Sequence, residues 1–496
     1  MRDGCLIGVD GGTESLRAFV FDLAGRPLGT AASAYETRFP GPAMAEQNPE
    51  DWWRALGEAV RGAVAASGVA PEAILGLGLD TTCCTVVALD AAGQALRPAL
   101  MWMDVRAAAE AADVAATGDA ALTVNGAGRD PVSAEWMIPK ALWLKRHEPA
   151  TFDSAAMICE YQEFLSLRLT GRYVGSRLSA SCRWHWRDGE GYPDALLARL
   201  DLGALREKWP AEILPVGTHA GGLTAAAAAH LGLREGLPVA VGGADAMVGM
   251  VGLGVSRPGD LALITGSSHL HLGVSPVLTH RQGMFGAYAR AVYDDSHLVE
   301  GGQTSTGSVV AWFKRHFAPD TPWDALNAAA AAVPPGCEGL RVLDHFQGNR
   351  TPWVDPRARG AFTGLSLSHT PAHLFRAILE SVCLGSRVIV DNFGDAFALR
   401  RIVIAGGATR SPLWLQLHAD VLQVPIEVTQ VPDAPALGSA ILGGVACGAF
   451  DDVHAGIAAM VHARETVTPD VGKAQVYADL AADYVRLYEA LRETRA

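Results

Sequence analysis

A chain of 496 residues, 49% of them hydrophobic and 19% charged, is long enough for two large domains and apolar enough to fill a core in each. Its formal net charge of −13 excludes recognition of nucleic acid or an acidic membrane through a general basic surface, so any phosphate it binds is met by local loops. No apolar run nears the ~20 residues of a membrane-spanning helix, and the eight cysteines form no C-x-x-C pair, as expected of free, buried thiols in a reducing cytoplasm.

Met1-Arg2-Asp3-Gly4 leads straight into the first apolar run, and no signal peptide is expected. Residues 6–22, LIGVDGGTESLRAFVFD, read as a strand, the turn Asp10-Gly11-Gly12-Thr13, then Ser15 and a returning strand. Asn48-Pro49-Glu50-Asp51 is a helix start: Asn at the cap, Pro at the first helical position and acids in the first turn. Trp52, Trp53, Leu56, Val60 and Val64 then line one face of that helix. A buried strand over 74–79 exits at Asp80-Thr81-Thr82, and another ends in Trp102, Asp104 and Arg106. Helices are predicted over 139–147 and over 160–171, the second closed by Gly171. Arg183-Trp184-His185-Trp186-Arg187 is the most aromatic and basic cluster of the chain. Strand, helix, strand in this order indicates an α/β layer architecture.

The stretch 238–273 repeats the opening design. An apolar run breaks at Gly242-Gly243 and presents Asp245 among uncharged neighbours; a second run, 261–264, ends in Thr265-Gly266-Ser267-Ser268. A strand feeding a Gly/Ser/Thr turn offers bare N–H groups and hydroxyls to a phosphate, and a lone acid beside it suits a general base. The same residues also suit ordinary β-turns with Asp245 capping a helix. Two such hairpins, each heading one half of the chain, predict two similar lobes with a junction near 254–258. No G-x-G-x-x-G lies between a strand and a helix, and no Walker lysine is present. Further on, Glu300-Gly301-Gly302-Gln303 precedes a helix over 308–317, a strand over 401–404 runs into Gly406-Gly407, and a helix begins at Ser411-Pro412. His269 and His271 share a strand face without a third metal ligand nearby in sequence. Trp184 and Trp186 suit either a sugar face or a core.

With these motifs the chain resembles the FGGY carbohydrate kinases over nearly its whole length. The most specific piece is 360–380, GAFTGLSLSHTPAHLFRAILE, which fits the family's C-terminal signature throughout. Lys140, Trp143 and Leu144 fit the N-terminal signature, whereas Ala141 replaces a larger apolar residue. Asp10, Gly12, Thr13, Ser15 and Arg17 match the first phosphate loop, Thr265-Gly266-Ser267 the second, and Asp245 the catalytic aspartate. The ribulokinase branch is the most similar, through the Glu300 motif and Phe346-Gln347-Gly348-Asn349-Arg350-Thr351-Pro352. Thr81-Thr82-Cys83-Cys84 stands where glycerol kinases carry an Arg-Glu pair, which argues against glycerol.

The resemblance implies an α/β chain of two actin/hexokinase-like (ribonuclease H-like) lobes about a cleft: a sugar-binding lobe over 1–254 and a nucleotide-binding lobe over 255–496. It implies transfer of the ATP γ-phosphoryl group to a pentulose, ribulose at its 5-hydroxyl first, with lobe closure over both substrates. Xylulose or another ketose or polyol is the alternative within the family, and a sugar-responsive ATPase switch on the same fold the alternative outside it. Asp245 is then the base. Asp10, with Asp245, holds magnesium through water. Gly12, Thr13, Ser15, Thr265, Gly266 and Ser267 meet phosphates; Gly307, Gly406, Gly407 and Ser411 admit the adenosine; Asp104, Arg183 and Glu300, with Asp245, contact the sugar. The partners implied are small molecules in the cytoplasm. A homodimer is compatible with the sequence, which leaves the oligomeric state open.

Overall fold

The computed structural model describes residues 4–395 and 397–494. Its contacts divide the chain into two compact units, one of Met1–Ser256, Tyr288–His297 and Asp433–Val461, the other of Arg257–Ala287, Leu298–Pro432 and His462–Ala496. Each combines a mixed sheet with helices around its own apolar core.

The first unit is built on a hairpin of β1 (Cys5–Gly11) and β2 (Ser15–Asp22), extended past β2 by β3 (Pro27–Ala34). On the other side β4 (Ile74–Thr81) runs parallel to β1. The strands β5 (His219–Gly222), β6 (Pro238–Ala240) and β7 (Gly243–Ala244) complete the sheet, the last two pairing with β4. Every residue of β1 is buried, as a strand covered on both faces requires.

One covering layer is α1 (Pro49–Ser67). Asn48 accepts the Glu50 amide at 3.2 Å, Pro49 opens the helix, and Gly68 at φ 67° ends it; a cap of this kind stabilises by ~1 kcal/mol. Trp52, Leu56, Val60 and Val64 bury against Ile7 and Val9. Gly8, between those two residues, points to the opposite face. There the helix Ala434–Ala446 crosses at backbone contact: a Cβ on Gly8 would lie 1.8 Å from the Ala436 carbonyl oxygen, and one on Gly78 1.9 Å from that of Ser439. Glycine is therefore needed on both strands, and this close approach is why so late a segment folds with the first unit. The remaining helices that matter here are α2 (Met137–His147), α3 (Tyr161–Thr170), α4 (Arg177–Arg183) and α5 (Asp245–Gly252). Gly171 closes α3 at φ 71°.

The second unit repeats the hairpin and its parallel neighbour. The strands β8 (Asp260–Thr265) and β9 (His269–Ser275) pair antiparallel, β10 (His297–Gln303) flanks β9, and β11 (Arg401–Gly406) runs parallel to β8 with Gly406 opposite Thr265. Beyond it lie β12 (Ile426–Thr429) and β13 (Ala463–Val467). Packed on these strands are α6 (Gly307–Phe317), α7 (Pro371–Asn392), α8 (Pro412–Leu422) and α9 (Ala474–Glu493). The C-terminal signature is mostly α7: Thr370 and His373 form a capping box, and one turn on Arg376 pairs with Glu380 at 2.9 Å inside the core. Tyr477 of α9 donates to the same carboxylate at 3.3 Å. Within α7 the signature thus serves helix docking. No helix of the described residues is long and apolar enough to cross a membrane, and the eight cysteines are free thiols.

Candidate active site

In the first unit the strands deliver three acids to one place. Asp10 ends β1 opposite Asp80 of β4, Gly243 and Ala244 of β7 pair with Asp80 and Thr81, and Asp245 is the first residue of α5. The carboxyl ends of parallel strands are where open α/β sheets bind ligands. Asp10 and Asp80 are buried, whereas Asp245 lies deep but keeps an edge open to solvent. One Asp245 oxygen accepts the Ala246 amide at 2.7 Å. Burial, with the Asp10 charge behind it, pushes the Asp245 carboxyl up to about 7.

Arg17 donates to Asp10 at 2.5 Å and to Asp433 at 3.1 Å. Burial raises the Asp10 carboxyl, and Arg17 works against that rise. Burial and the Asp10 charge push Asp80 well above the ordinary carboxyl range. Ser439 donates to Asp80 Oδ2 at 2.7 Å, and Oδ1 has no hydrogen-bond partner. In sequence Asp80 reads only as a polar strand exit. The signal that could have found it is its likeness to Asp10: an acid directly after an apolar run and before Thr or Gly.

The first phosphate-type loop hangs from the same sheet. The Gly12 amide donates to the Ser15 carbonyl at 3.0 Å, and the Tyr35 hydroxyl donates to the Gly12 carbonyl. Gln47 donates to the Thr13 carbonyl at 2.6 Å and the Trp102 indole to the Thr13 hydroxyl at 3.2 Å. The Thr13 hydroxyl accepts there, so its own hydrogen remains to be donated. Ser15 starts β2, half-buried.

Besides Asp245, two predicted sugar contacts fall in this unit. Arg183, at the end of α4, is buried and donates to the Tyr288 hydroxyl at 2.6 Å, with its guanidinium carbon 5.7 Å from that ring's centroid. Asn125 also donates to this hydroxyl, at 3.2 Å. Tyr288 gave no sequence signal, because it lies 105 positions from Arg183. Asp104 has a different setting: fully buried, it accepts from Ala45 N–H at 2.7 Å and from the Arg106 side chain at 2.7–2.9 Å. Both its oxygens are committed to the chain, as a buried carboxylate requires. Trp184 is a core residue, stacked on Trp209 and donating to Glu160 at 2.7 Å. Lys140 is fully buried and spends its ammonium on the carbonyls of Cys84 and Met101 at 2.7 and 2.5 Å.

In the second unit the Thr265 hydroxyl is spoken for: it donates to the Ala405 carbonyl at 2.6 Å and accepts the Ala408 amide at 3.1 Å. Gly266 and Ser267 carry the open part of the loop. A Cβ on Gly307 would stand 2.2 Å from the Gly266 carbonyl oxygen, so this glycine lets α6 close on the loop. Gly406 takes φ 91°, in the left-handed region, with its Cβ position 1.9 Å from the Thr265 carbonyl oxygen. Gly407 has nothing within 4 Å of its Cβ position, space that a flat ligand could fill. Ser411 caps α8, accepting the Trp414 amide at 3.2 Å and donating to Asn327 at 2.9 Å. Glu300 is buried on β10. His269 and His271 do gain a third imidazole, His418 of α8, whose ring centre is 5.7 Å from that of His269. Among the described residues, however, no group of three or more His, Cys, Asp or Glu side chains is arranged to hold a metal.

The N-terminal domain of the FGGY family of carbohydrate kinases matches residues 5–252, and the C-terminal domain matches residues 261–447. The chain belongs to the FGGY carbohydrate kinases. Ribulokinases of Mycolicibacterium smegmatis and Geobacillus thermodenitrificans are 33% and 30% identical to it, each over 98% of this chain and 93–94% of its own length. The crystal structure of xylulose kinase from Rhodospirillum rubrum is 31% identical and superposes with a TM-score of 0.89 over 99% of both chains. This FGGY kinase is therefore a sugar kinase with the actin/hexokinase-like α/β fold, and its family implies binding of ATP.

Proposed function

We propose that this FGGY kinase transfers the γ-phosphoryl group of ATP to the 5-hydroxyl of a pentulose, ribulose first, with Asp245 as general base. Asp245 carries the reading: a solvent-reachable carboxyl near neutrality, beside Asp10 and Asp80 at the strand ends. A sugar hydroxyl is too weak an acid to attack unaided, and a base with a pKa near the working pH takes its proton most effectively. Similarity to ribulokinases supports ribulose. The likeness to a xylulose kinase makes xylulose the second reading.

Phosphoryl transfer asks of the protein mainly positioning and charge neutralisation. The hydroxyls of Thr13 and Ser15 donate to phosphate oxygens, which lie against the turns at Gly12, Gly266 and Ser267. The space at Gly407 takes the adenosine, next to Gly406 and Ser411. Arg183 donates to sugar oxygens and Glu300 accepts from sugar hydroxyls. The acid cluster fits magnesium, since Asp80 Oδ1 is a buried acceptor without a partner and Asp10 lies beside it. Magnesium keeps most of its water, so Asp10 and Asp245 would hold it through that water. When bound, the ion neutralises phosphate charge. Use of ATP as donor supports a cytoplasmic reaction.

The test is ADP release by the purified protein with each of ribulose, xylulose, pentitols and glycerol. Turnover is expected to be fastest with ribulose. Preference for xylulose would overturn the ribulose assignment, and ADP release independent of any sugar would favour an ATPase switch.

A further inference from the structure

The loop that leaves β4 carries two adjacent thiols that the phosphoryl-transfer reading does not use. Cys83 is half-buried and Cys84 buried, with their sulfur atoms 3.6 Å apart. Cys84 takes φ 62°, a left-handed conformation uncommon outside glycine. Its backbone is held on both sides: its amide donates to Glu160 at 2.8 Å, and its carbonyl accepts from Lys140 at 2.7 Å. The pair is therefore fixed with both sulfurs side by side.

The flanking residues tie the pair to the first phosphate-type loop. The Thr82 amide donates to the Gly11 carbonyl at 2.9 Å. Thr85 accepts the Trp102 amide at 3.2 Å, and the Trp102 indole reaches the Thr13 hydroxyl at 3.2 Å. A change at Cys83 and Cys84 thus reaches Gly11 and Thr13 through one hydrogen bond on one side and two on the other.

We propose that Cys83 and Cys84 form a bidentate site for a trivalent arsenical, and that its capture disables the adjacent phosphate loop. A bridging atom suits the pair better than a direct sulfur–sulfur bond. Neighbouring Cα atoms stand about 3.8 Å apart, less than the roughly 4.4–6.8 Å that disulfides span, so a disulfide here would be strained and easily reduced. A single arsenic atom spans two touching sulfurs without that contraction. The arsenic–oxygen bond of an arsine oxide breaks, two arsenic–sulfur bonds form, and the oxygen leaves with both thiol protons as water. Arsenic stays trivalent and no oxidant is needed. Cys83 attacks first, because it is the more open sulfur, while Cys83 itself, burial and Glu160 hold the Cys84 thiol well above its ordinary range. The other six cysteines are not adjacent to one another in the chain.

The experiment treats the folded protein with phenylarsine oxide, beside Cys83→Ser and Cys84→Ser, and reads intact mass, hydrogen exchange at residues 11–15 and sugar-dependent ADP release. One adduct per wild-type chain is expected, removed by a dithiol but not by a monothiol and absent from both variants. Exchange at 11–15 should change on capture, and turnover should fall about tenfold or more. Equal uptake by Cys83→Ser, or no uptake by the wild type, overturns the site; uptake with unchanged exchange and turnover overturns the coupling. Should no sugar of the panel be phosphorylated, the proposed activity fails, but mass and exchange still decide this inference.

Discussion

Asp10 and Asp80 stand opposite each other across the parallel ladder of β1 and β4. Two buried carboxyls that face each other disfavour each other's charge. Arg17 favours the charge on Asp10, and burial beside that charge pushes the Asp80 carboxyl well above its ordinary range. The Asp10 charge also helps to hold Asp245 near 7.

The pH dependence of turnover follows. The base must be ionised to accept a proton, so kcat/KM should rise with pH through an acid limb near the Asp245 value of about 7. Asp245→Asn should lower turnover by ~100–10,000-fold, as loss of a general base does. The charge that raises Asp245 is that of Asp10, so the limb should stay where it is in Asp80→Asn. A limb that drops by about one pH unit or more in Asp80→Asn would show that Asp80 carries charge.

Glycine substitutions separate packing from binding. Gly78→Ala drives a Cβ to 1.9 Å from the Ser439 carbonyl oxygen, and the helix Ala434–Ala446 must give way. The expected loss is at least the ~1–3 kcal/mol of overpacking, read by urea unfolding. Gly407→Ala meets nothing within 4 Å. It should leave stability within ~0.5 kcal/mol while raising the KM for ATP.

Both hairpins, α1 with its cap and the acid at 245 were legible in the sequence, because each rests on local chemistry: strand runs, turn residues, capping order. What was not legible depends on register and on distant segments. Asp80 became a site residue only when β1 and β4 aligned. Tyr288 reached Arg183, and Ser439 reached Asp80, from 105 and 359 positions away. The resemblance implies that Thr265 and Ser411 meet the nucleotide, and in the structure the Thr265 hydroxyl bonds inside the sheet and that of Ser411 in a helix cap.

The buried histidines of the second unit give it an acid sensitivity of its own. Burial lowers His269 far below the ordinary range, His271 to about 3 and His418 to about 4. The unfolded chain takes protons below about pH 6.5 where the folded one does not, so stability falls as pH falls from there toward about 4. Each histidine contributes up to ~1.4 kcal/mol per pH unit. In the first unit two carboxyls oppose this sign, whereas His185, lowered by burial to about 4, shares it. Glu163, raised to about 8, and Asp245 bind protons in the folded state first, so stability is gained as pH falls from about 8 toward 4. Hydrogen exchange between pH 7.5 and 5.5 should speed up in β9, relative to intrinsic rates, and speed up less in His271→Leu. Equal acid loss in that variant would rule His271 out as a source.

Sugar recognition should separate cleanly from nucleotide binding. Arg183 is buried with its guanidinium on Tyr288, and Glu300 is buried on β10, so neither position is that of a solvated surface charge. A charged hydrogen bond lost to substrate costs ~1.5–3 kcal/mol, which is about a ten- to hundredfold fall in specificity constant. Arg183→Ala and Glu300→Ala should each show that fall for the best sugar, through KM or kcat, with the KM for ATP nearly unchanged. Tyr288→Phe removes the hydroxyl that accepts from Arg183 but leaves the ring beneath the guanidinium. It should therefore cost less than Arg183→Ala and act on the sugar KM alone. If both alanine variants phosphorylate that sugar as well as wild type does, the sugar is read by other side chains. If instead the ATP constant moves as much as the sugar constant, the two residues support the fold of their units and do not contact the substrate.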